Sequence, residues 1–260
     1  MCNVLLQGNQ SFKDKCNELQ HTINQQLKQL NHNHPELAEF DNFKAITSGW
    51  NKITHDFSSL TAPESFVRHT RLMEKLLKLI SELGSSNKLH HSQDKKLRGL
   101  LEVGINIVPP VTEILGQARG MGAGVASQAK LSPQSRSKLR YLHHQAAVIC
   151  ENTATILSTQ EATCQALDFS QCQTSIQLFL KTLDQELLNT ECIQIESERY
   201  FAIASEAIGH SFEQLNQVMN EASIRLEKEY ATHSQYLKMA RLFTVISTSI
   251  LMVVVFKFAS

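Results

Sequence analysis

The feature that most constrains this chain is an uncharged run near its end, from Leu242 to Phe256, which reads LFTVISTSILMVVVF. As a helix this run is about 22 Å long, against a hydrocarbon core of about 30 Å. Flanking basic side chains narrow the difference if their methylene stems run inward while their charges stay at the headgroups. The sequence therefore predicts a transmembrane helix over 241–258. The predicted anchor residues are Leu242, Phe243, Val245, Ile246, Ile250, Leu251, Met252, Val253, Val254, Val255 and Phe256, and the predicted membrane flank is Lys238, Arg241 and Lys257.

The predicted anchor implies a topology and favours a compartment. The first ten residues offer only Val4-Leu5-Leu6 as an apolar run, which does not resemble a secretory signal. We therefore expect a single-pass, tail-anchored protein with residues 1–240 in the cytosol, where its six cysteines stay reduced. A short span suits a thin bilayer, which favours the endoplasmic reticulum or the mitochondrial outer membrane. The alternative is that the same run forms a buried C-terminal helix inside the protein.

Composition points to an all-α protein. The 260 residues include only 5 prolines, 10 glycines and 1 tryptophan, which is few for a β-rich fold with many turns. The 25 basic and 25 acidic residues cancel, so the chain has no global attraction to nucleic acid, and nucleic acid is not expected as a partner. The predicted fold is an all-α, elongated helical bundle with long C-terminal helices and a C-terminal transmembrane helix.

The spacing of apolar residues divides the chain into four regions. Residues 1–94 contain three amphipathic helices. Residues 95–131 are predicted to form a Gly-rich apolar hairpin that folds back at Pro109-Pro110. Residues 132–240 form long helices with coiled-coil character, and residues 241–258 form the anchor.

Proline, glycine and hydroxyl residues predict where the helices begin and end. Pro35 is expected to be the first residue of the second helix, and Thr61 precedes the third. Gly84 is expected to cap the third helix at its C-terminal end. In the C-terminal region, a hinge near Thr190 and a kink at Gly209 are two alternative ways to shorten an otherwise very long helix.

Three glycines at a spacing of four, Gly116, Gly120 and Gly124, line one face of a helix and predict close approach of another backbone. Two interpretations are open. The glycines pack a central hairpin against the long helices, or residues 97–131 form a membrane-active hairpin. In the second case Glu102, Glu113 and Arg119 would each cost about 2.5–3.5 kcal/mol at the bilayer centre.

No spacing in the chain identifies a reaction. The histidine pairs, such as His143-His144, lack the spacing of four residues that a helical zinc site needs, so no metal is expected. The glycine run at Gly120 to Gly124 lacks the lysine of a phosphate-binding loop, so no cofactor or small-molecule substrate is expected. The sequence predicts a protein that is not an enzyme, with a site assembled from scattered residues as the alternative.

A heptad-like apolar stripe precedes the predicted anchor and gives the main functional hypothesis. Its residues are Ile208, Phe212, Leu215, Met219, Ala222 and Leu226. Such a stripe can pair with a helix of a partner protein or with a second copy of the chain. The sequence therefore predicts a membrane-anchored protein that uses its helices for protein–protein interaction or tethering, with the lipid bilayer and partner helices as its partners.

Two known classes share parts of this plan. A helical N-terminal part, a heptad stripe and a terminal span resemble, in outline, the membrane-fusion SNARE proteins. Those proteins carry a polar central layer where this chain has Ala202, Ile203 and Ala204, so the chain is not assigned to them. The apolar segment 97–131 together with the tail is similar in general plan to α-helical toxins and apoptosis effectors, which makes a membrane-remodelling or pore-forming protein the alternative function.

Overall fold

The computed structural model describes residues 10–87, 92, 94–159, 167–229 and 244, and every regular element in this part of the chain is a helix. The all-α class is therefore confirmed for the described residues. The chain divides into two compact units at Asn87. Unit 1 contains the described residues 10–87 and 244, and unit 2 contains those from 92 to 229. The predicted transmembrane helix lies outside the described residues, apart from Thr244.

The described residues 10–87 of unit 1 form three α-helices. These are α1 (Gln10–Asn33), α2 (Asp41–Asp56) and α3 (Ala62–Ser86). A short 3₁₀ turn, Pro35–Glu39, joins the first two. The prediction that Pro35 begins the second helix was wrong, because the proline opens this turn instead. Leu37 in the turn is fully buried, and its burial holds the connection against the unit.

The two ends of α3 are held by different capping contacts. The Thr61 hydroxyl accepts the backbone N–H of Glu64, and the Glu64 carboxylate accepts the backbone N–H of Thr61 at 3.0 Å, so both halves of a capping box are present. The predicted cap at Gly84 was wrong, since the helix continues to Ser86 and ends at Asn87. The side-chain amide of Asn87 donates to the Leu83 carbonyl at 2.8 Å and satisfies an acceptor that the last turn leaves open.

The core of unit 1 comes from the apolar faces of its amphipathic helices. Ile23, Trp50 and Ile53 form a buried cluster, against which the partly buried Leu27 and Leu72 pack. Burying a large apolar side chain stabilises the fold by about 1.5–3 kcal/mol, so these contacts supply much of what holds the three helices together.

The central element of unit 2 is one long helical run, α4 (Lys95–Gln128). Asp94 caps it by accepting the backbone N–H of Lys96 at 2.8 Å. The predicted hairpin at Pro109-Pro110 was wrong, because the helix continues through both prolines. A π-helical turn, Val103–Ile107, explains how. The regular helix restarts at Val108, so the prolines fall in a first turn, where their missing N–H groups are not needed.

Three further helices lie in the described residues of unit 2. They are α5 (Pro133–Thr159), α6 (Ser170–Leu183, continued by a π turn over Asp184–Leu188) and α7 (Ser197–Glu229). The non-helical residues 189–196 separate α6 from α7. The hinge near Thr190 is therefore the alternative that the structure adopts, and α7 continues through Gly209.

Helices α4 and α7 run antiparallel and form the most extensive helix pair of unit 2. Near one end, the Ser197 hydroxyl donates to the Ala123 carbonyl at 3.0 Å. At the other end, the Arg225 guanidinium lies 3.4 Å from the Asp94 carboxylate. Burial raises the pKa of Asp94, but backbone N–H groups and Arg225 outweigh it and hold that pKa below its usual value.

Candidate functional site

The stripe predicted to bind a partner helix lies inside the fold. Ile208, Phe212, Leu215, Met219, Ala222 and Leu226 are all buried, with exposed fractions between 0% and 7%. They face the unit's own helices, chiefly α4 and α6. The stripe was predicted to pair with a partner helix or a second copy, and in the structure the chain's own helices cover it.

The predicted glycine face is only partly used for close packing. Gly116 is buried and Gly120 is half-buried, but nothing lies within 4 Å of where a Cβ would stand at Gly124. The closest approach is at Gly122, where a Cβ would overlap the ring of Tyr200 on α7. Gly104 is similar, since a Cβ there would meet the Met219 side chain. The expectation for Gly124 was wrong, and the glycines that admit a bulky neighbour are Gly104 and Gly122.

A buried polar cluster accompanies this contact. Arg119 on α4 is fully buried; its guanidinium donates to the Ser205 hydroxyl at 2.9 Å and lies 4.6 Å from the centre of the Phe201 ring. Burial lowers the pKa of Arg119 to about 9. The Tyr200 hydroxyl donates to the Ala118 carbonyl at 3.0 Å. These contacts fix the rotation of α7 against α4, and we assign them to the packing of the helix pair.

Residues of the predicted membrane anchor lie outside the described residues. This applies to all eleven anchor residues, from Leu242 to Phe256, and to the flanking Lys238, Arg241 and Lys257. Within the described part, only α4 is long and apolar enough to cross a membrane, and 78% of its most apolar stretch is buried in the fold. The core helix of an ordinary globular protein passes the same test.

An open cleft with a volume of about 840 Å³ lies in unit 1, between α1 and α2. Three lysines line it, Lys28, Lys44 and Lys52. Its remaining lining is mostly apolar and amide or hydroxyl: Asn24, Leu27, Asn31, Ala38, Phe43, Thr47, Ser48 and Asn51, with His55 and Asp56 at one end. The cleft combines apolar lining with positive charge, and no spacing in the sequence indicates it.

The charges around the cleft do not cancel. Asp56 is held by the Arg68 guanidinium at 2.5 Å and by the His55 ring at 2.9 Å. The hydrogen bond from His55 and then that from Arg68 lower the pKa of Asp56. Lys44 pairs with Asp41 at 3.3 Å in an exposed contact, but within the described chain no ion pair involves Lys28 or Lys52. Those two ammonium groups remain available to a negatively charged ligand.

The single tryptophan lies directly behind the cleft. Trp50 is 1% exposed, and its indole N–H donates to the side-chain oxygen of Asn24 at 2.8 Å. Asn24 itself lines the cleft. A molecule that displaces or hydrogen-bonds Asn24 therefore changes the surroundings of the indole ring, which makes Trp50 an internal reporter of occupancy.

Comparison with known proteins adds no relative. No family model, no curated protein and no solved structure matches the chain. In the described ranges, no group of three or more His, Cys, Asp or Glu side chains is arranged to hold a metal ion.

Proposed function

We propose that the protein is a non-enzymatic helical binding protein, held at a membrane by residues 241–258, and that unit 1 carries its binding surface. The observation that carries this proposal is the lysine-lined cleft between α1 and α2. The stripe on α7 is already buried, so the cleft is the better candidate for protein–protein interaction.

The chemistry of the cleft favours an amphipathic partner helix with an acidic face. Leu27 and Phe43 offer apolar contact, while Lys28 and Lys52 provide unneutralised positive charge on either side. A helix laid in such a groove buries its apolar face and places its carboxylates against the lysines. Charge complementarity of this kind raises the association rate and discriminates between partners.

Trp50 fluorescence tests the binding surface in the full-length protein. The probes are two synthetic helices with the same leucine face, one carrying glutamates and the other lysines on the opposite face. We expect the glutamate helix to shift the Trp50 emission in a saturable way, with an affinity that falls as salt rises. The lysine helix should leave the emission unchanged.

A matched pair of variants separates the cleft from overall charge. Lys28→Glu/Lys52→Glu reverses two lysines that line the cleft, whereas Lys75→Glu/Lys78→Glu makes the same charge change on α3. We expect the first variant to lose about tenfold or more in affinity and the second to lose much less, since each lost charged contact is worth roughly 1–3 kcal/mol. Equal losses in both variants would remove the cleft from the proposal.

The membrane part of the proposal rests on the uncharged run and its basic flanks. The test compares the full chain with a variant that lacks residues 238–260, after cell lysis and high-speed centrifugation without detergent. We expect the full chain in the membrane pellet and the shortened chain in the supernatant. Fluorescent fusions of both forms then test the endoplasmic reticulum and the mitochondrial outer membrane, which a short span favours.

A second candidate function is membrane remodelling or pore formation, which the apolar character of α4 favours. Burial of α4 means that its apolar surface would have to leave unit 2 before it could meet lipid. Release of a dye from liposomes by the full-length protein tests this candidate. Absence of leakage at micromolar protein would exclude pore formation and leave binding as the only proposed function.

A further inference from the structure

Two cysteines lie where the helices of unit 2 pack together. Cys150 is on α5, Cys172 is in the first turn of α6, and both are half-buried. The Cys172 thiol donates to the Ser211 hydroxyl on α7 at 3.7 Å. Because α5 packs on α6 and α6 packs on α7, both thiols belong to one helix junction.

The register of α5 and α6 brings the two cysteines level. Near the start of α5, the Arg136 guanidinium donates to the carbonyl of Leu188, in the π turn that ends α6, so the start of one helix lies beside the end of the other. Cys150 follows Arg136 by fourteen residues, and Cys172 precedes Leu188 by sixteen. At about 1.5 Å per residue these distances agree to within one helical turn.

The two thiols are close enough to interact electrostatically. Burial, and then the proximity of Cys172, raise the pKa of Cys150 to about 11. Burial also raises the pKa of Cys172, although the hydrogen bond to Ser211 opposes it. Few thiolates are therefore present at neutral pH, and any exchange at this junction is slow.

We propose that Cys150 and Cys172 form a reversible disulfide that fastens α5 to α6 when the protein meets an oxidising thiol–disulfide couple. The oxidant is a low-molecular-weight disulfide such as oxidised glutathione. One cysteine thiolate attacks it, forming a mixed disulfide and releasing one glutathione thiol. The second cysteine then attacks the mixed disulfide and releases the other, so two protein thiols are oxidised and one small disulfide is reduced to two thiols.

The crosslink would close a loop from residue 150 to residue 172 and restrict the unfolded chain. In a reducing compartment the pair stays as thiols, and in an oxidising compartment it closes. The junction thus makes the stability of unit 2 depend on redox conditions, whatever unit 1 binds.

The test incubates the full chain with oxidised and reduced glutathione, blocks the remaining thiols and maps disulfides by mass spectrometry. Cleavage after lysine, arginine and glutamate separates Cys150, in peptide 141–151, from Cys172, in peptide 162–181. That second peptide also contains Cys164, so the mapping is repeated in Cys164→Ser. We expect these two peptides joined, dithiothreitol to part them, and the Tm to rise by roughly 5 °C or more on oxidation.

Single variants decide between this pair and other pairings. Cys150→Ser and Cys172→Ser should each abolish the crosslink and the Tm increase, whereas Cys192→Ser, which changes an exposed thiol, should keep both. Circular dichroism confirms that each variant retains its helical content. A link through Cys164 or another cysteine in the wild-type chain, or no link in a folded protein, would overturn the proposal.

Discussion

At the scale of single residues, the contact between Gly122 and Tyr200 sets how closely α4 and α7 approach. An added Cβ at Gly122 would overlap the Tyr200 ring, while the same addition at Gly124 meets nothing within 4 Å. We expect Gly122→Ala to destabilise the protein by about 1–3 kcal/mol, through overpacking. Gly124→Ala should be neutral or should stabilise by up to about 1 kcal/mol, because alanine favours the helix. Thermal unfolding followed by circular dichroism measures both.

Replacing Tyr200 by a smaller side chain tests whether overlap with its ring causes the loss of stability in Gly122→Ala. If overlap with the ring is the cause, Tyr200→Leu should cost much less in the Gly122→Ala background than in the wild-type chain. The two losses would then be clearly less than additive, as expected for residues in direct contact. Strict additivity would mean that helix propensity or another local effect, and not the ring, explains the first result.

Arg119 is the second residue whose role follows from burial. Its replacement by alanine removes the hydrogen bond to Ser205, the contact with the Phe201 ring and the volume of a long side chain. We expect Arg119→Ala to lower the free energy of unfolding by roughly 2–4 kcal/mol. The exposed Arg140 on α5 is the matched control, and Arg140→Ala should change stability by about 0.5 kcal/mol or less. Denaturant titration of both variants tests this difference.

Residue-scale features were only partly predictable from the sequence. The spacing of Gly116, Gly120 and Gly124 correctly directs attention to α4, but spacing reports only which side chains are small. Whether a glycine is needed depends on what faces it, and that depends on the rotation of α7, which places Tyr200 at Gly122. The lysine cleft is not predictable from the sequence for a similar reason, since Lys28 and Lys52 line one cleft only when α1 packs beside α2.

At the scale of helices, the backbone at the C-terminal end of α4 is strained, and a single substitution can relieve the strain. Ala129 caps this helix with φ of 48°, in the left-handed region, and it is the only non-glycine residue with positive φ in the described part. An alanine there is strained by about 1 kcal/mol relative to glycine, which has no Cβ. We therefore expect Ala129→Gly to stabilise the protein or leave its stability unchanged.

The control is Ala202→Gly, at an exposed position in the interior of α7, which should instead destabilise the protein by about 1 kcal/mol. Opposite shifts in Tm for the same chemical change would confirm the assignment, and two decreases of equal size would contradict it.

The helices themselves were the most predictable part of the structure, and their boundaries were the least. Apolar periodicity identified the helical character of both units, because each helix buries one face. The boundaries predicted from Pro35, Gly84 and Pro109 were wrong, each for a different physical reason. A short 3₁₀ turn can follow a proline, a glycine is tolerated inside a helix whose packing outweighs its propensity, and a π turn lets a helix restart at two prolines without reversing.

At the scale of the whole molecule, overall neutrality hides an uneven arrangement of charge and apolar surface. The sum of charges is zero, yet the cleft of unit 1 gathers three lysines. The apolar stripe on α7 likewise shows that a sequence pattern does not give the position of its partner. A heptad pattern predicts that one helix face is buried, but it does not say whether the covering helix belongs to the same chain or to another. Here the partner helices are in unit 2 itself, which moves the proposed binding function from the stripe to the cleft.

Division into two compact units predicts how the whole chain unfolds. Each unit has its own buried apolar core, so we expect each to melt as a separate cooperative transition. The only tryptophan of the chain, Trp50, lies in unit 1, so its fluorescence should follow one transition, while circular dichroism at helical wavelengths should follow both. Gly122→Ala alters only unit 2. It should therefore lower the Tm of one of the two transitions seen by circular dichroism and leave the Tm of the transition seen by Trp50 fluorescence unchanged. A single transition that both signals share, and that the substitution shifts as a whole, would show that the two units unfold as one.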